Sequence, residues 1–497
     1  MSCDQGGCPV RILLIQPPHI GDMVVRPPNF LPLNLGYLAS VMVQEGMEVD
    51  VLDIWGKGLM FPEVKGFLSS TGYDAYGISA LCTQFNYVEK LTRVIKSLPG
   101  RPVVIGGALA TFSHDEVFSA MSADVCVMGE GERTAVELFP AVISGEDLSQ
   151  IKGIAFRAGG QTVVTEPREN IQDLDTLPLP SYSLFDMETY IRNCSVYSKY
   201  GTYNRLPAIN VFTGRGCPYN CHFCSRTILG ARYRSVDSVI DEIRLLIRKF
   251  GIRGVFFNDE MLVGSKKRVY ELCEKIGPLG LKWNCQGRAN LMDKDMLENM
   301  KSAGCVSVGY GVETGSQAIL DAMNKNQTLE DVTRAVNMTV SAGIEPIPQW
   351  MVGYPGENEE TLSRTRSTFR GFDFPVNPPF ICTPLPGTKL YRDAVQEGRI
   401  PDKVDFHRNL SDGYATEGKI LVNFTSWTDE QLLRRKRELE ISVRLDFYRK
   451  ALFRLSLYRI LIREIGLVLG GRLRNIARKS LSIFGNKQGL KPSLPGE

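Results

Sequence analysis

The run Gly214-Arg215-Gly216-Cys217-Pro218-Tyr219-Asn220-Cys221-His222-Phe223-Cys224 places three cysteines on one short loop, with the spacing C-x3-C-x2-C. A closed structural zinc site takes four protein ligands, and an ordinary electron-transfer iron–sulfur cluster also takes four cysteines. A compact loop with three cysteines instead predicts a [4Fe-4S] cluster in which one iron has no protein ligand. Substrate chemistry takes place at such an open metal position.

The residues around the cysteines agree with this interpretation. Gly214 and Gly216 allow unusual backbone dihedrals, and Pro218 stiffens the turn after the first cysteine. The preceding segment 208–213 has the pattern of a strand, so the loop leaves the C-terminal end of a strand, where α/β barrels carry their active sites. The alternative is a small zinc loop with a remote fourth ligand, Cys194 or His222.

The cysteine loop resembles the signature of the radical S-adenosylmethionine (SAM) superfamily. In that family the open iron chelates the amino and carboxylate groups of SAM, and reductive cleavage yields methionine and a 5′-deoxyadenosyl radical that abstracts hydrogen from substrate. The resemblance implies that Cys217, Cys221 and Cys224 ligate the cluster. It also implies an external one-electron reductant of the flavodoxin or ferredoxin type.

Composition limits the class of protein. A chain of 497 residues predicts two or three domains, each able to bury a core. The net charge of +3 gives no argument for nucleic acid as a partner. Twelve irregularly spaced cysteines beside a cluster motif favour a reducing compartment over a disulfide framework, and Cys3 and Cys8 are interpreted as incidental. With no secretory signal and no apolar run of membrane-spanning length, the expectation is a cytoplasmic enzyme.

The first third of the chain predicts an α/β domain over residues 9–145. Continuous Val/Ile/Leu runs alternate with helical patterns, which indicates a doubly wound, Rossmann-like parallel sheet of the flavodoxin type, covered on both faces. The five predicted strands are 11–16, 49–53, 73–79, 102–107 and 124–129. Ligands of such sheets bind at the carboxyl ends of the strands.

Small residues at those strand ends let a large ligand approach the backbone. Together with the cysteine loop they resemble the radical SAM branch that has an N-terminal cobalamin-binding domain. The resemblance implies cobalamin as a further cofactor, and the predicted cofactor-binding residues here are Ser79, Gly106, Gly107, Gly129 and Glu130. The alternative is a degenerate domain that has lost its cofactor.

The motif Asp-x-His-x-x-Gly, whose histidine ligates cobalt in many cobalamin proteins, does not occur in this sequence. The nearest stretch is Asp405-Phe406-His407, which lacks the glycine and lies outside the first domain. Members of the branch that this chain resembles also commonly lack the motif. If cobalamin binds, its lower face is therefore open or covered by another side chain.

Residues 146–204 predict a linker with a β-hairpin, and residues 205–400 predict a partial (β/α)6, TIM-like barrel. Its six predicted strands are 209–213, 254–258, 282–286, 306–312, 345–352 and 379–383. Polar residues at their ends are candidate SAM contacts: Glu260 in the run Asn258-Asp259-Glu260, Arg288 and Glu313. The resemblance supports Glu313 and Arg288 most, and each of the three could instead be an ion-paired rim residue. The sequence assigns no residue to proton transfer.

Residues 401–497 predict a largely helical C-terminal region. Between Tyr448 and Lys487 the chain is rich in Arg, Lys, Leu and Ile, with Glu464 as the sole acid. Such a segment can pack its apolar face on the barrel, which is the favoured interpretation, or lie on a membrane surface. Peripheral membrane contact stays open.

The leading functional hypothesis is a cobalamin-dependent radical SAM methyltransferase. By resemblance, one SAM methylates cobalamin and another supplies the radical, so that a methyl group passes through methylcobalamin to an unactivated carbon of a small-molecule substrate. An alternative keeps the radical step without methyl transfer, giving cyclisation, dehydration or rearrangement. The non-enzymatic alternative is a protein that only binds cobalamin or an iron–sulfur cluster.

Overall fold

A computed structural model describes residues 10–18, 28–98, 100–196, 206–413, 419–454, 457 and 460–463. Cys3, Cys8 and most of the basic tail lie outside these ranges. The described part of the chain contains two β-sheets with their helices, and a C-terminal helical region.

The first sheet confirms the predicted doubly wound domain. Its strands are β1 (Arg11–Gln16), β2 (Glu48–Asp53), β3 (Ala75–Ser79), β4 (Val103–Gly106), β5 (Val125–Val127), β6 (Ile154–Ala158) and β7 (Gln161–Val164). The order is β2-β1-β3-β4-β5-β6-β7, and the first five strands are parallel. The order of these five is that of flavodoxin-like folds, whose ligand site lies where the order reverses between β1 and β3.

The predicted hairpin is present, and it also extends the first sheet. Strand β6 pairs antiparallel with β5, and β7 pairs antiparallel with β6. The buried residues Ile154 and Ala155 of β6 extend the apolar surface of the sheet, which explains the pairing.

Helices cover both faces of the first sheet. They are α1 (Leu33–Gln44), α2 (Phe61–Ser70), α3 (Phe85–Lys96), α4 (Ala108–Ala120) and α5 (Glu132–Ser144). In β1, Leu13 and Ile15 pack with α2, α3 and α4. The alternate residues Ile12 and Leu14 belong to a core that includes α1 and α5 and continues into the second sheet.

The second sheet is the open half-barrel that the sequence predicts. Its strands are β8 (Ala208–Val211), β11 (Gly254–Phe257), β12 (Lys282–Gly287), β13 (Cys305–Glu313), β14 (Glu345–Val352) and β15 (Phe380–Ile381), all parallel in this order. A short antiparallel pair, β9 (Gly214–Arg215) and β10 (Arg232–Tyr233), brackets the cysteine loop.

The remaining helices follow the strands. They are α6 (Met187–Asn193), α7 (Val236–Phe250), α8 (Lys266–Ile276), α9 (Lys294–Ser302), α10 (Gln317–Ala322), α11 (Leu329–Ser341), α12 (Glu359–Arg370), α13 (Lys389–Gln396), α14 (Lys403–Gly413) and α15 (Asp429–Leu452). Helix α7 shows how the sequence sets their ends: the Ser235 hydroxyl accepts from the N–H of Ser238, and Gly251 ends the helix with a φ of 64°.

The C-terminal region is largely helical where it is described, and residues 419–428 before α15 are irregular. Helix α14 packs against α3 and α4 of the first domain, and α15 packs against α12 of the barrel. Within the described ranges, no helix is both long and apolar enough to cross a lipid bilayer.

Candidate active site

The cysteine loop begins at a fixed point on the barrel. The buried Asp259 carboxylate, which follows β11, accepts hydrogen bonds from Thr213 N (2.7 Å), Thr213 Oγ1 (2.5 Å) and Gly214 N (3.2 Å). Burial raises the pKa of Asp259 to about 6, and these hydrogen bonds oppose the increase. The sequence indicates Asp259 only as part of a polar strand end, and its contacts here anchor the loop.

Backbone shape explains the glycine before the first cysteine. Gly216 has a φ of 79°, and a Cβ atom at this position would clash with the carbonyl oxygen of Gly230. On the other side of the loop, the Arg226 guanidinium donates to the carbonyl of Tyr219 and, at 2.6 Å, to Asn220 Oδ1. The loop is therefore held by the chain itself.

The three cysteines are free thiols near one another. Cys221 is buried, Cys217 is half-buried and Cys224 is exposed. Burial and then the neighbouring Cys221 raise the pKa of Cys217, whereas desolvation and Cys221 raise the pKa of Cys224 to about 11. Cys217 and Cys224 are thus both close enough to Cys221 to interact with it electrostatically, as expected for ligands of one cluster, which binds its cysteines as thiolates.

This donor set fits a [4Fe-4S] cluster with one iron left open. The cysteines of such a cluster bind different iron atoms and need not meet at one point. Within the described ranges, no three His, Cys, Asp or Glu side chains converge on one point where a single metal ion could bind.

The two remote ligands of the zinc alternative have other contacts. Cys194 is fully buried and packs with Val196 and with Ala208, at the opposite end of β8 from the loop. The His222 ring lies within hydrogen-bond distance of the Ala322 carbonyl, 2.9 Å from Nδ1. Neither residue joins the three thiols.

Glu313 ends β13 beside the loop. It is buried with a φ of 64°, which is rare for a residue other than glycine. Lys325 Nζ lies 2.5 Å from Glu313 Oε1 and 5.6 Å from the centroid of the Phe223 ring, between two of the cysteines. The buried pair presents one anion and one cation next to the loop.

Sequence reasoning missed Lys325. The sequence feature that could have revealed it is the run Asn324-Lys325-Asn326. In the structure both asparagines adopt positive φ angles, 52° and 51°. Asparagine tolerates this conformation, so a lysine between two asparagines indicates a tight turn that directs its side chain.

The other two predicted barrel residues also lie near the loop. Glu260 is exposed, and its charge contributes to the raised pKa of Cys217, after burial and Cys221. Arg288 is buried and donates from Nη2 to the Asn326 carbonyl (3.1 Å). The structure brings Glu260, Arg288 and Glu313 to the cysteine loop, and their binding of a cofactor stays a prediction.

The first domain offers an open edge at the carboxyl ends of its strands. Ser79 Oγ accepts a hydrogen bond from Asn34 Nδ2 (2.7 Å) beside the point where the strand order reverses. Gly107 has a φ of 84°, and a Cβ there would approach the Ala80 carbonyl to 2.7 Å, with Gly106 directly before it.

Gly129 lies at the same edge and has free space beside its backbone. It has a φ of 73°, and no atom of the described residues lies within 4 Å of the position that a Cβ would take. Its N–H donates to Thr111 Oγ1 (3.1 Å). Small residues around an open space fit the predicted cobalamin, while the individual contacts stay predictions.

Glu130 has a different environment from its glycine neighbour. Its carboxylate pairs with Arg215 Nη1 (2.8 Å) and Arg232 Nη1 (3.0 Å), and it accepts from the N–H of Ile171 (2.7 Å). The two arginines lower the pKa of Glu130 despite the opposing effect of burial. The structure thus occupies the Glu130 side chain with protein contacts, and its predicted cofactor contact is not tested.

His407, outside the first domain in sequence, packs against it in space. It is fully buried and stacks on Phe85 with ring centroids 5.0 Å apart. Neither ring nitrogen has a hydrogen-bond partner among the described residues, and burial lowers its pKa to about 4. This histidine therefore stays neutral inside an apolar contact.

Two segments of the chain match known protein families. Residues 211–368 match the family described as "Radical SAM superfamily", and residues 22–139 match the family described as "B12 binding domain".

Two curated relatives cover most of this chain. An uncharacterized methyltransferase of Pyrococcus horikoshii is 31% identical over 394 residues, which is 78% of this chain and 83% of the relative. The anaerobic magnesium-protoporphyrin IX monomethyl ester cyclase of Rubrivivax gelatinosus is 30% identical, over 77% of this chain and 70% of the relative.

A solved structure shares the fold. The radical S-adenosylmethionine methyltransferase TsrM of Kitasatospora setae superposes with a TM-score of 0.64 at 21% identity, over 78% of this chain and 77% of that protein. At this identity the likeness establishes the arrangement of the sheets and not the reaction.

Proposed function

Since the chain belongs to the radical SAM superfamily and carries a B12-binding domain, we propose that it is a cobalamin-dependent methyltransferase acting on an unactivated carbon of a small molecule. The cofactors of this family architecture are a [4Fe-4S] cluster, SAM and cobalamin. The observation that carries the proposal is direct contact between the two cofactor-binding parts, because Glu130 after the Gly129 opening pairs with Arg215 before Cys217.

Different residues would hold the different cofactors. Cys217, Cys221 and Cys224 would hold the cluster, and the glycines at the first-domain edge would hold cobalamin. When bound, the cluster and SAM supply a 5′-deoxyadenosyl radical, and cobalamin supplies the methyl group.

The Glu313–Lys325 pair suits the amino-acid end of SAM. Its carboxylate can attract an ammonium group and its ammonium can attract a carboxylate, and both side chains are at most 11% exposed. Low exposure strengthens such charge-assisted contacts. Arg288, which lies over the Tyr219 ring of the loop, offers a second cation.

A second candidate keeps the radical step but transfers no methyl group. The similarity to the Rubrivivax gelatinosus cyclase, at nearly the same identity as to the Pyrococcus methyltransferase, favours it. The cysteine loop serves both reactions, since it governs formation of the radical and not its fate.

The experiment compares the two products of SAM. The protein is reconstituted anaerobically with iron, sulfide and hydroxocobalamin, reduced, and incubated with [methyl-13C]SAM and a small-molecule extract of the source cells. Methyl transfer predicts S-adenosylhomocysteine, 5′-deoxyadenosine and a 13C-labelled small molecule. Abundant 5′-deoxyadenosine with neither of the other two would support the second candidate and exclude the first.

The electron for SAM cleavage would come from a flavodoxin or ferredoxin, in a cytoplasmic setting. All ten cysteines in the described ranges are free thiols, which suits a reducing compartment. Replacing chemical reductant by reduced flavodoxin should sustain 5′-deoxyadenosine formation, and its failure with both carrier types would reject this assignment.

Peripheral membrane contact would involve the outer face of α15. Ile441, Leu445 and Leu452 lie on one helix face and are 45–65% exposed, whereas Val443 and Phe447 on the inner face are buried. In sequence, this helix runs into the basic segment 448–487, and an apolar face combined with basic residues is typical of helices that bind anionic lipid surfaces.

A flotation experiment tests the contact. The protein should float with phosphatidylglycerol vesicles and not with phosphatidylcholine vesicles, and the double change Leu445→Glu and Leu452→Glu should abolish flotation. Val164→Glu, at a 52% exposed position in the first sheet, is the control. Equal flotation of both variants would reject this face as the contact.

A further inference from the structure

Two arginines face each other across the strands that bracket the cysteine loop. Arg215 of β9 and Arg232 of β10 are directly paired in the antiparallel register. Like charges at such positions repel and loosen a strand pair. Both side chains are also largely buried, at 14% and 11% exposure, so water does little to screen them.

The first domain supplies the balancing charges. Glu130 Oε1 accepts from Arg215 Nη1 (2.8 Å) and Arg232 Nη2 (3.1 Å), and Glu130 Oε2 accepts from Arg232 Nη1 (3.0 Å). Arg215 Nη2 donates to Glu132 Oε1 (2.6 Å). Four charged side chains from two domains therefore form one buried group, named here the Glu130–Arg215 quartet: Glu130, Glu132, Arg215 and Arg232.

A linker residue, Ile171, is hydrogen-bonded to the same group. Ile171 donates its N–H to Glu130 Oε2 (2.7 Å), and its carbonyl accepts from Arg232. With this bond the Glu130 carboxylate accepts four hydrogen bonds, about as many as its two oxygens can take. Both oxygens of the Glu130 carboxylate thus take part in contacts within the protein.

Both ends of the quartet lie next to cofactor-binding segments. Glu130 follows Gly129, which faces the open edge of the first sheet, and Arg215 precedes Cys217 by two positions. A buried, hydrogen-bonded group of this kind fixes relative position more firmly than apolar contact, because its donors and acceptors have defined directions.

From this geometry we infer that the Glu130–Arg215 quartet is a positioning device that sets the separation of the cluster from the cobalamin. It is not catalytic, since it acts through the two loops that it joins. The inference deepens the proposed function, because transfer between two cofactors depends on their relative placement. A misplacement of about 1 Å can cost on the order of a hundred-fold in rate.

The test measures position directly. Wild type and Glu130→Gln are reconstituted with iron, sulfide and hydroxocobalamin and then reduced, and pulsed EPR gives the distance distribution between the reduced cluster and cob(II)alamin. We expect Glu130→Gln to keep both cofactors while the distribution broadens about two-fold, since Arg232 loses its carboxylate, Arg215 keeps only Glu132, and the repulsion between the two buried arginines is no longer balanced. Glu130→Asp keeps the charge and should restore part of the wild-type width.

Two further variants keep the experiment decisive. Glu132→Gln removes one contact of Arg215 and decides the outcome if Glu130→Gln fails to fold. Glu137→Gln on the same helix α5 is the matched control, because it removes the pair with Arg168 (2.8 Å), which does not involve the loop. Unchanged widths in the Glu130 and Glu132 variants, or equal broadening in the control, would overturn the inference. The measurement needs no substrate, so it stands apart from a failure to observe methyl transfer.

Discussion

The guanidinium of Arg288 lies 3.6 Å from the centroid of the Tyr219 ring. Tyr219 lies between the first two cysteines, and Arg288 directly follows β12. The same guanidinium donates to Asn290 Oδ1 (3.0 Å) and to the carbonyl of Asn326, next to Lys325. One buried arginine thus joins the cysteine loop to the turn that carries the lysine.

Replacement of Arg288 by lysine should weaken SAM binding while the cluster is retained. A lysine is a point charge that can neither stack on Tyr219 nor bond both Asn290 and Asn326. The desolvated cation–π contact is worth about 2 kcal/mol, and its loss releases the cysteine loop from the turn that carries Lys325. We therefore expect the Kd for SAM to increase by about ten-fold, which corresponds to about 1.4 kcal/mol. Equilibrium dialysis with reconstituted protein measures the change. Arg244→Lys, at an exposed pair with Asp241, is the control, and equal Kd values in both variants would contradict this role.

Alanine at any one of Cys217, Cys221 and Cys224 should abolish reductive SAM cleavage. Two thiolates do not hold a [4Fe-4S] cluster in the required open form, so iron content and visible absorption should fall together. Cys194→Ala should retain both, because Cys194 packs at the far end of β8. Metal loss in the Cys194 variant would instead support the four-ligand zinc alternative.

Gly129→Ala should reduce cobalamin binding more than it reduces stability. The methyl group enters the open edge of the first sheet, and the positive φ adds strain of roughly 1–2 kcal/mol. Gly145→Ala is closely matched, since Gly145 has a φ of 72° and no described atom near its Cβ position, but it ends α5 away from that edge. Cobalamin content after reconstitution should fall only in the Gly129 variant. A similar loss in both would show that strain alone is responsible.

His407→Phe should flatten the response of stability to acid. The unfolded chain binds a proton at this histidine below pH about 6.5, whereas the folded chain stays neutral down to about 4. The unfolded state therefore holds more protons in this window, and stability decreases as pH falls through it, by up to roughly 3 kcal/mol.

Phenylalanine at this position keeps the stacking on Phe85 and removes the titrating group. Urea unfolding at pH 7.5 and pH 5 measures the difference, with His114→Gln as a control at a partly exposed histidine. A wild-type loss of stability that persists in His407→Phe would assign the acid sensitivity to other groups.

The sequence predicted the two sheets well because their strands are nearly continuous apolar runs. The five strands predicted for the first domain and the six predicted for the barrel all occur within a few residues of the predicted bounds. The cysteine loop was also predictable, since its spacing together with the strand–helix pattern that follows resembles the radical SAM signature, and the matched family covers it.

Contacts between distant segments could not be predicted. Glu130 follows a glycine-rich strand end and so resembles a ligand contact, but its partners Arg215 and Arg232 are 85 and 102 residues away. Lys325 and Asp259 were missed for the same reason, because single polar residues gain their roles from neighbours that only the fold supplies. The packing of α14 on the first domain could likewise not be predicted from the local sequence pattern.

The antiparallel pairing of β6 with β5 also determines where the chain can be divided. A fragment ending at residue 145 would leave the hydrogen-bonding groups of Val125–Val127 uncovered on one side, and such an edge invites self-association into aggregates. A fragment extended through Val164 carries its own covering strands. Recombinant production of the corrinoid-binding half should therefore succeed with the longer boundary and give insoluble material with the shorter one.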